Sequence, residues 1–188
     1  MSTQPKHFVT PEEYLELERK AEYKSEYYKG EIFAMSGASL KHNSIAAQLY
    51  FLIARHLQGK KCRWYPSDMR LLVPNGLYTY PDLSATCEDP QLADAHVDTL
   101  TNPTLVAEIL SPSTENYDRG NKAKFYREIP SLRELLLISQ DRCDVDLYRR
   151  QEDGTWNLLN AAGLDASMEL ASIGCTLQLR ELYEKVTQ

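Results

Sequence analysis

Three side chains carry the chemical interest of this sequence: Asp82 in Tyr80-Pro81-Asp82-Leu83-Ser84, Glu108 in Leu105-Val106-Ala107-Glu108-Ile109-Leu110, and Lys122 in Asp118-Arg119-Gly120-Asn121-Lys122-Ala123. Glu108 is flanked by Val106, Ala107, Ile109 and Leu110, which leave little water around it. An unpaired carboxylate there would cost on the order of several kcal/mol or take a proton, so a metal ion, a cation or both must compensate it. Asp82 and Glu108 lie on strands read as neighbours. A pair of carboxylates suits Mg²⁺ or Mn²⁺, whose octahedron substrate phosphate oxygens would help complete. Such an ion polarises a phosphoryl oxygen and acidifies water. Lys122 would then orient that water or neutralise charge developing on the phosphate.

The elements that must position these groups follow from local pattern. Thr10-Pro11-Glu12-Glu13 is a capping box that starts a helix running to about Tyr23. Residues 26–35 form a hairpin turning at Lys29-Gly30. Ile45, Leu49, Leu52 and Ile53 recur at helical spacing, and Gly59 closes that helix. Two strands, residues 62–73 and 77–87, meet at Asn75-Gly76, a strong hairpin signal, and a polar loop follows to Pro103. The Glu108 strand leads into the Lys122 helix, where Asp118, Lys122 and Tyr126 share one face and Lys124 points roughly the opposite way. Leu135 to Ser139 reads as a central strand, residues 144–150 as a less buried one turning at Asp153-Gly154. Residues 168–177 read as an edge strand, and Leu179, Leu182 and Val186 as the face of a last helix. This order predicts an α/β sandwich, a central mixed β-sheet flanked by helices, in one domain over residues 1–188.

Composition narrows the classes. Of 188 residues, 43% are hydrophobic and 26% charged, the balance of a chain with a packed core. No run is long and apolar enough to span a bilayer, and Met1 to Thr10 is too polar for a signal peptide, so a cytoplasmic location is expected. Cys62, Cys87, Cys143 and Cys175 stand apart without a Cys-x-x-Cys pair, which predicts reduced thiols and no zinc site. A net charge of -6 argues against a general nucleic-acid coat. Lys41, Arg55, Lys60, Lys61, Arg63 and Arg70, joined later by Arg119, Lys122, Lys124 and Arg127, allow a local positive face.

Pro81-Asp82, Glu108-Ile109-Leu110-Ser111-Pro112-Ser113 and Asp118-Arg119-Gly120-Asn121-Lys122 together resemble the Uma-type family of endonucleases, within the PD-(D/E)XK superfamily and its restriction-endonuclease-like fold. The resemblance extends from about Thr10 to Arg150. It implies a Mg²⁺- or Mn²⁺-dependent enzyme acting on DNA, with Asp82 and Glu108 on the metal, Glu26 assisting and Lys122 serving the attacking water. His42, Asp68, Asp118 and Tyr126 are accessory candidates. The superfamily lysine expected two residues after the glutamate is Leu110 here, and Lys122 takes the position to which it has moved. Cutting both strands of a duplex would suit a homodimer.

Structural alternatives stand beside these roles. Asp82 can open a strand, Glu108 and Lys122 can form a buried ion pair, His42 can line a helix, and Asp68 can pair with Arg70. A second hypothesis is therefore a non-catalytic module that keeps the fold and the acids without turnover.

Overall fold

The computed structural model describes residues 8–186, so most of the polar N-terminal stretch, residues 1–7, lies outside the described residues. The capping box forms as its residue types require. Glu13 N–H donates to Thr10 Oγ1 at 3.2 Å and Thr10 N–H donates to the Glu13 carboxylate at 2.8 Å, opening α1 (Pro11–Glu18). The helix stops short of Tyr23. Glu18 turns back instead, accepting from Ser25 N–H at 2.9 Å and from its hydroxyl at 2.5 Å. Strands β1 (Ser25–Tyr28) and β2 (Glu31–Ala34) meet at Lys29 and Gly30, with φ of 48° and 86°, the left-handed pair a two-residue hairpin turn demands. Ser39 caps α2 (Leu40–Leu57) by accepting from His42 N–H, and Ile45, Leu49, Leu52 and Ile53 are buried along it.

The two strands expected around Asn75-Gly76 are each broken in two. They give β3 (Arg63–Pro66) and β4 (Arg70–Leu72) before the turn, β5 (Tyr78–Thr79) and β6 (Leu83–Thr86) after it. Then come β7 (Thr99–Leu100), β8 (Leu105–Leu110), α3 (Glu115–Tyr117), a π-helical turn (Asp118–Lys122) and α4 (Ala123–Tyr126). The chain continues through β9 (Glu134–Ser139), β10 (Asp144–Arg150), β11 (Trp156–Ala162), β12 (Ser167–Leu170), β13 (Cys175–Gln178) and α5 (Leu179–Leu182). The stretch expected as one edge strand near the C-terminus is thus a separate two-stranded hairpin, β12 with β13.

The strands make a six-stranded mixed sheet, order β11-β10-β9-β8-β6-β3, in which only β8 and β9 run parallel, and a five-stranded sheet, order β2-β1-β5-β4-β7. The long hairpin forks between them: β4 and β5 belong to the smaller sheet, β3 and β6 to the larger. On β8, Leu105, Ala107 and Ile109 pack in the cluster with Ile45, Leu49 and Ile53 of α2. Val106 and Leu110 point the other way, into a cluster with Ala123 and Tyr126 of α4 and Leu71 of the smaller sheet. This period-2 alternation with both faces buried is what a central strand between two layers must show. Glu108 belongs to the α4 side.

Two expectations are corrected here. Cys62 and Cys87 are not free thiols. Arg63 pairs with Thr86 across β3 and β6, which brings the two cysteines opposite each other, and they form a disulfide. Twenty-five residues of separation hid a pairing that only strand register creates. The positive face is broken up, although Lys60, Lys61, Arg63 and Lys124 stay exposed. Arg70 and Lys122 are buried, Lys41 pairs with Asp141, Arg55 with Glu181, and Arg119 with Glu115 and Asp146.

The polar loop after β6 is tied down by charge. Arg19 on the C-terminal cap of α1 binds Asp94 at 2.6 Å and Asp98 at 2.8 Å, and buried Arg70 reaches Asp98 at 3.3 Å. Among the described residues no helix is long and apolar enough to cross a membrane.

Two outcomes are expected. Thiol titration of the unfolded, unreduced protein should count two thiols, Cys143 and Cys175, and four after reduction; four without reductant would remove the disulfide. The bond to Arg19 holds the Asp98 carboxyl down to about 2, against its burial. A depressed carboxylate stabilises above its ordinary value and loses that contribution as pH falls through its folded value. Asp98→Asn should therefore cost on the order of 1 kcal/mol at neutral pH after solvent screening, and the difference should fade between about pH 4 and pH 2 in urea melts.

Candidate active site

Asp82 sits where the hairpin forks, between β5 and β6. Leu83 pairs with Ala107, so the antiparallel ladder ends one step before Glu108. Asp82 then supplies with its side chain what a strand would have supplied: its Oδ2 accepts from Ile109 N–H at 2.7 Å. The same oxygen faces His42 Nε2, from the first turn of α2, at 3.2 Å. Tyr50, two turns further along α2, donates its hydroxyl to the Asp82 carbonyl at 2.8 Å. No described group hydrogen-bonds Oδ1. Burial alone would push the His42 imidazole down; the bond to Asp82 and the charges of Asp82 and Asp118 lift it above its ordinary value.

Glu108 projects from β8 into the gap between that sheet, the smaller sheet and the Lys122 helix. Its Oε1 accepts from the Tyr126 hydroxyl at 2.5 Å and lies 3.0 Å from Lys122 Nζ. Lys122 Nζ is also 2.9 Å from Glu26 Oε1 and 3.7 Å from Asp118 Oδ1. Glu26 comes from β1 in the smaller sheet, where Tyr27 pairs with Tyr78; that register faces Glu26 with Thr79, whose hydroxyl donates to Glu26 at 2.5 Å. The expected helical stripe of Asp118, Lys122 and Tyr126 is present, while Lys124 is exposed. The helix is not regular. Ala123 N–H reaches back five residues to the Asp118 carbonyl, a wider turn of a kind common at functional sites. Arg119, bound to Asp146 of β10, docks this turn on the large sheet.

The electrostatics follow from crowding. Glu26, Asp82, Glu108 and Asp118 face one ammonium and one imidazole. Burial raises the Glu108 carboxyl above the carboxylate range; Lys122 opposes this, and Asp82 and Asp118 add to it. Burial alone would push Lys122 down, but Glu108, Tyr126, Glu26 and Asp118 reverse that and hold it charged. The cluster has an excess of negative charge that a cation would relieve. One oxygen of Asp82 and one of Glu108 are uncommitted to described groups, on adjacent register positions. No group of three or more His, Cys, Asp or Glu side chains among the described residues is gathered to hold a metal unaided. Two carboxylate oxygens completed by water and substrate nonetheless suit a hard divalent ion.

The remaining candidates divide. His42, Asp118 and Tyr126 join the cluster; Asp68 does not, being exposed and paired with Lys24 at 2.7 Å rather than with Arg70. Lys60 and Lys61 lie beyond the far end of α2, whose length puts them about 27 Å from its start near His42. Thr79 was not legible as a site residue. It depends on β1 pairing with a strand some fifty positions later.

A mixed sheet between helices, with two acids at its fork and a lysine on the next helix, is a restriction-endonuclease-like fold. A crystal structure from Anabaena variabilis ATCC 29413, described as "a putative nuclease belonging to DUF820", shares this fold with a TM-score of 0.78, covering 95% of this chain and 99% of that one at 21% identity. The chain belongs to the Uma2 family, described as "Putative restriction endonuclease", whose model matches residues 11–180. Two uncharacterized proteins of Synechocystis sp. are 41% and 37% identical to it over 176 and 164 residues, covering 93% and 87% of this chain and 91% and 93% of theirs.

The sharing of one ammonium among three acids predicts an asymmetry. Lys122→Met should destabilise the fold by about 3 kcal/mol or more, because it strands several buried carboxylates. Glu108→Gln should cost far less, since Lys122 keeps Glu26 and Asp118. Lys124→Met should stay within about 0.5 kcal/mol. Equal losses for the Lys122 and Lys124 variants in chemical denaturation would contradict this geometry.

Proposed function

We propose that this chain is a divalent-metal-dependent nuclease that hydrolyses phosphodiester bonds in DNA, working as a single nuclease-like domain. The observation that carries the reading is the pair of uncommitted oxygens on Asp82 and Glu108 beside a charged, buried Lys122. Asp82 and Glu108 would hold Mg²⁺ or Mn²⁺, and the chemistry such an ion supplies is charge neutralisation on phosphoryl oxygens and acidification of water.

The chain's own groups do the positioning. His42 Nε2 and Ile109 N–H fix one oxygen of Asp82 and leave the other without a partner among the described residues. Tyr126 fixes Glu108 in the same way. Glu26, itself held by Thr79, steers the Lys122 ammonium so that it can donate to a phosphate oxygen or to the attacking water. Glu108, Lys122 and Tyr126 are buried, so little water surrounds them.

One observation favours a second reading, a structural module without turnover: Lys122 already neutralises Glu108 through Oε1. Such a pair has no use for a metal ion. Calorimetry with Mn²⁺ and cleavage of supercoiled, linear and single-stranded DNA with Mg²⁺, Mn²⁺ or chelator separate the two. Cleavage should need the ion and be lost in Glu108→Gln, because a neutral amide is a poor ligand for a hard cation. Lys122→Ala should slow it at least about a hundredfold and Lys124→Ala little. Absence of both metal binding and cleavage would favour the structural module.

A further inference from the structure

A second surface, away from the acids, carries the opposite charge. Between Ile32 and Ser67 the sequence holds no aspartate or glutamate, while Arg55, Lys60, Lys61 and Arg63 crowd into residues 55–63. These cations gather where the end of α2 meets β3. There an open cleft of about 780 Å³ is lined by Phe51, Arg55 and Gln58 on one side and by Arg63, Trp64 and Tyr65 on the other. Lys60 and Lys61 belong to the turn that joins its two walls. No described acid lines it. Arg55 pairs with Glu181 at 3.0 Å, whereas no ion pair among the described residues holds Lys60, Lys61 or Arg63. Glu88, one residue past Cys87, is exposed and forms no ion pair with them either.

The walls are held in place by contacts of their own. The Cys62–Cys87 bond ties the start of β3 to the neighbouring strand, Arg55 lies 5.3 Å over the Phe51 ring, and Trp64 stacks on Tyr50 at 5.4 Å. β3 is the last strand of the large sheet, so alternate N–H groups along it face away from β6. The cleft also leads to the candidate active site. Tyr50, which braces Trp64, donates to the Asp82 carbonyl at 2.8 Å, and Tyr65 pairs with Ser84, two residues after Asp82. Along α2 the distance from His42 to the basic turn is about 27 Å. That is several Debye lengths of about 8 Å, so the acids repel little of what the cations hold. A strand with one phosphate per about 3.4 Å covers the distance in about eight nucleotides.

We propose that the cleft between α2 and β3 anchors the phosphate backbone of DNA, with Lys60, Lys61 and Arg63 as its charged contacts and the outward N–H groups of β3 as further donors. The inference rests on the nuclease reading for the choice of polyanion. It adds where the substrate is held: at a basic surface remote from the acids, which by themselves would repel it. These groups bind and place the substrate and touch no reacting atom.

The test is fluorescence anisotropy in chelator, so that nothing is cut, with a labelled duplex of about twenty base pairs, long enough to bridge cleft and acids. Lys60→Gln/Lys61→Gln/Arg63→Gln should bind at least about tenfold more weakly, and its slope of log affinity against log salt should be shallower by about two to three. The charge-keeping Lys60→Arg/Lys61→Arg/Arg63→Lys should bind as wild type does. So should Lys124→Gln, an exposed lysine elsewhere. All three cleft cations are exposed, so the variants should keep the fold, which far-UV circular dichroism checks. In cleavage with Mg²⁺ or Mn²⁺, the glutamine variant should raise KM and spare kcat. Binding indifferent to salt, a glutamine variant indistinguishable from wild type, or no binding at all would overturn the proposal. So would polyglutamate binding more tightly than the duplex, because the cleft would then be a docking place for an acidic protein. Salt-dependent binding through these cations without metal-dependent cleavage would sink the nuclease reading alone; cleavage whose KM ignores them would sink only this one.

Discussion

One ammonium group organises the centre of this molecule. Lys122 Nζ meets Glu108 from the large sheet, Glu26 from the small sheet and Asp118 from its own helix. Each of these acids is buried, and each would be untenable alone in so dry a place. The cation therefore sets where the two sheets and the helix can sit relative to one another. Apolar packing alone would tolerate small slides between the layers; a charge with three partners does not. Thr79 and Tyr126, the hydroxyls that complete the cluster, are hydrogen-bonded at its two edges.

The fork in the long hairpin is the second requirement. A continuous two-stranded ribbon would have kept Asp82 in a ladder, its side chain directed by the pleat. Because β5 stays with one sheet and β6 joins the other, the chain at Pro81 and Asp82 is released, and the carboxylate substitutes for a missing strand by capping Ile109 N–H. Proline suits this point, since it has no N–H to leave unsatisfied. The same divergence opens the gap into which Glu108 projects. The cross-strand disulfide between Cys62 and Cys87 lies at the opposite end of the β3–β6 pair from the fork, where that ribbon remains regular.

The surface around the site shows the cost of concentrating acids. The chain is acidic overall, several of its cations are spent on ion pairs, and the two lysines after α2 are remote from the cluster.

Local chemistry determined much of this from sequence alone. The Thr10–Glu13 capping box, the Lys29-Gly30 and Asp153-Gly154 turns, the apolar stripe of α2 and the central β9 depend on residues within a few positions of one another, and all appear. So does the Asp118–Lys122–Tyr126 face, because four-residue spacing survives a widened turn. Asp82, Glu108 and Lys122 were legible because a carboxylate in an apolar strand demands a partner. The split of the two middle strands between sheets, the Cys62–Cys87 bond, Thr79 behind Glu26 and the removal of Asp68 to Lys24 were decided by tertiary structure. Each depends on which distant strand lies alongside which, and in what register. A strand's own pattern says which face it buries but not whose backbone it will meet.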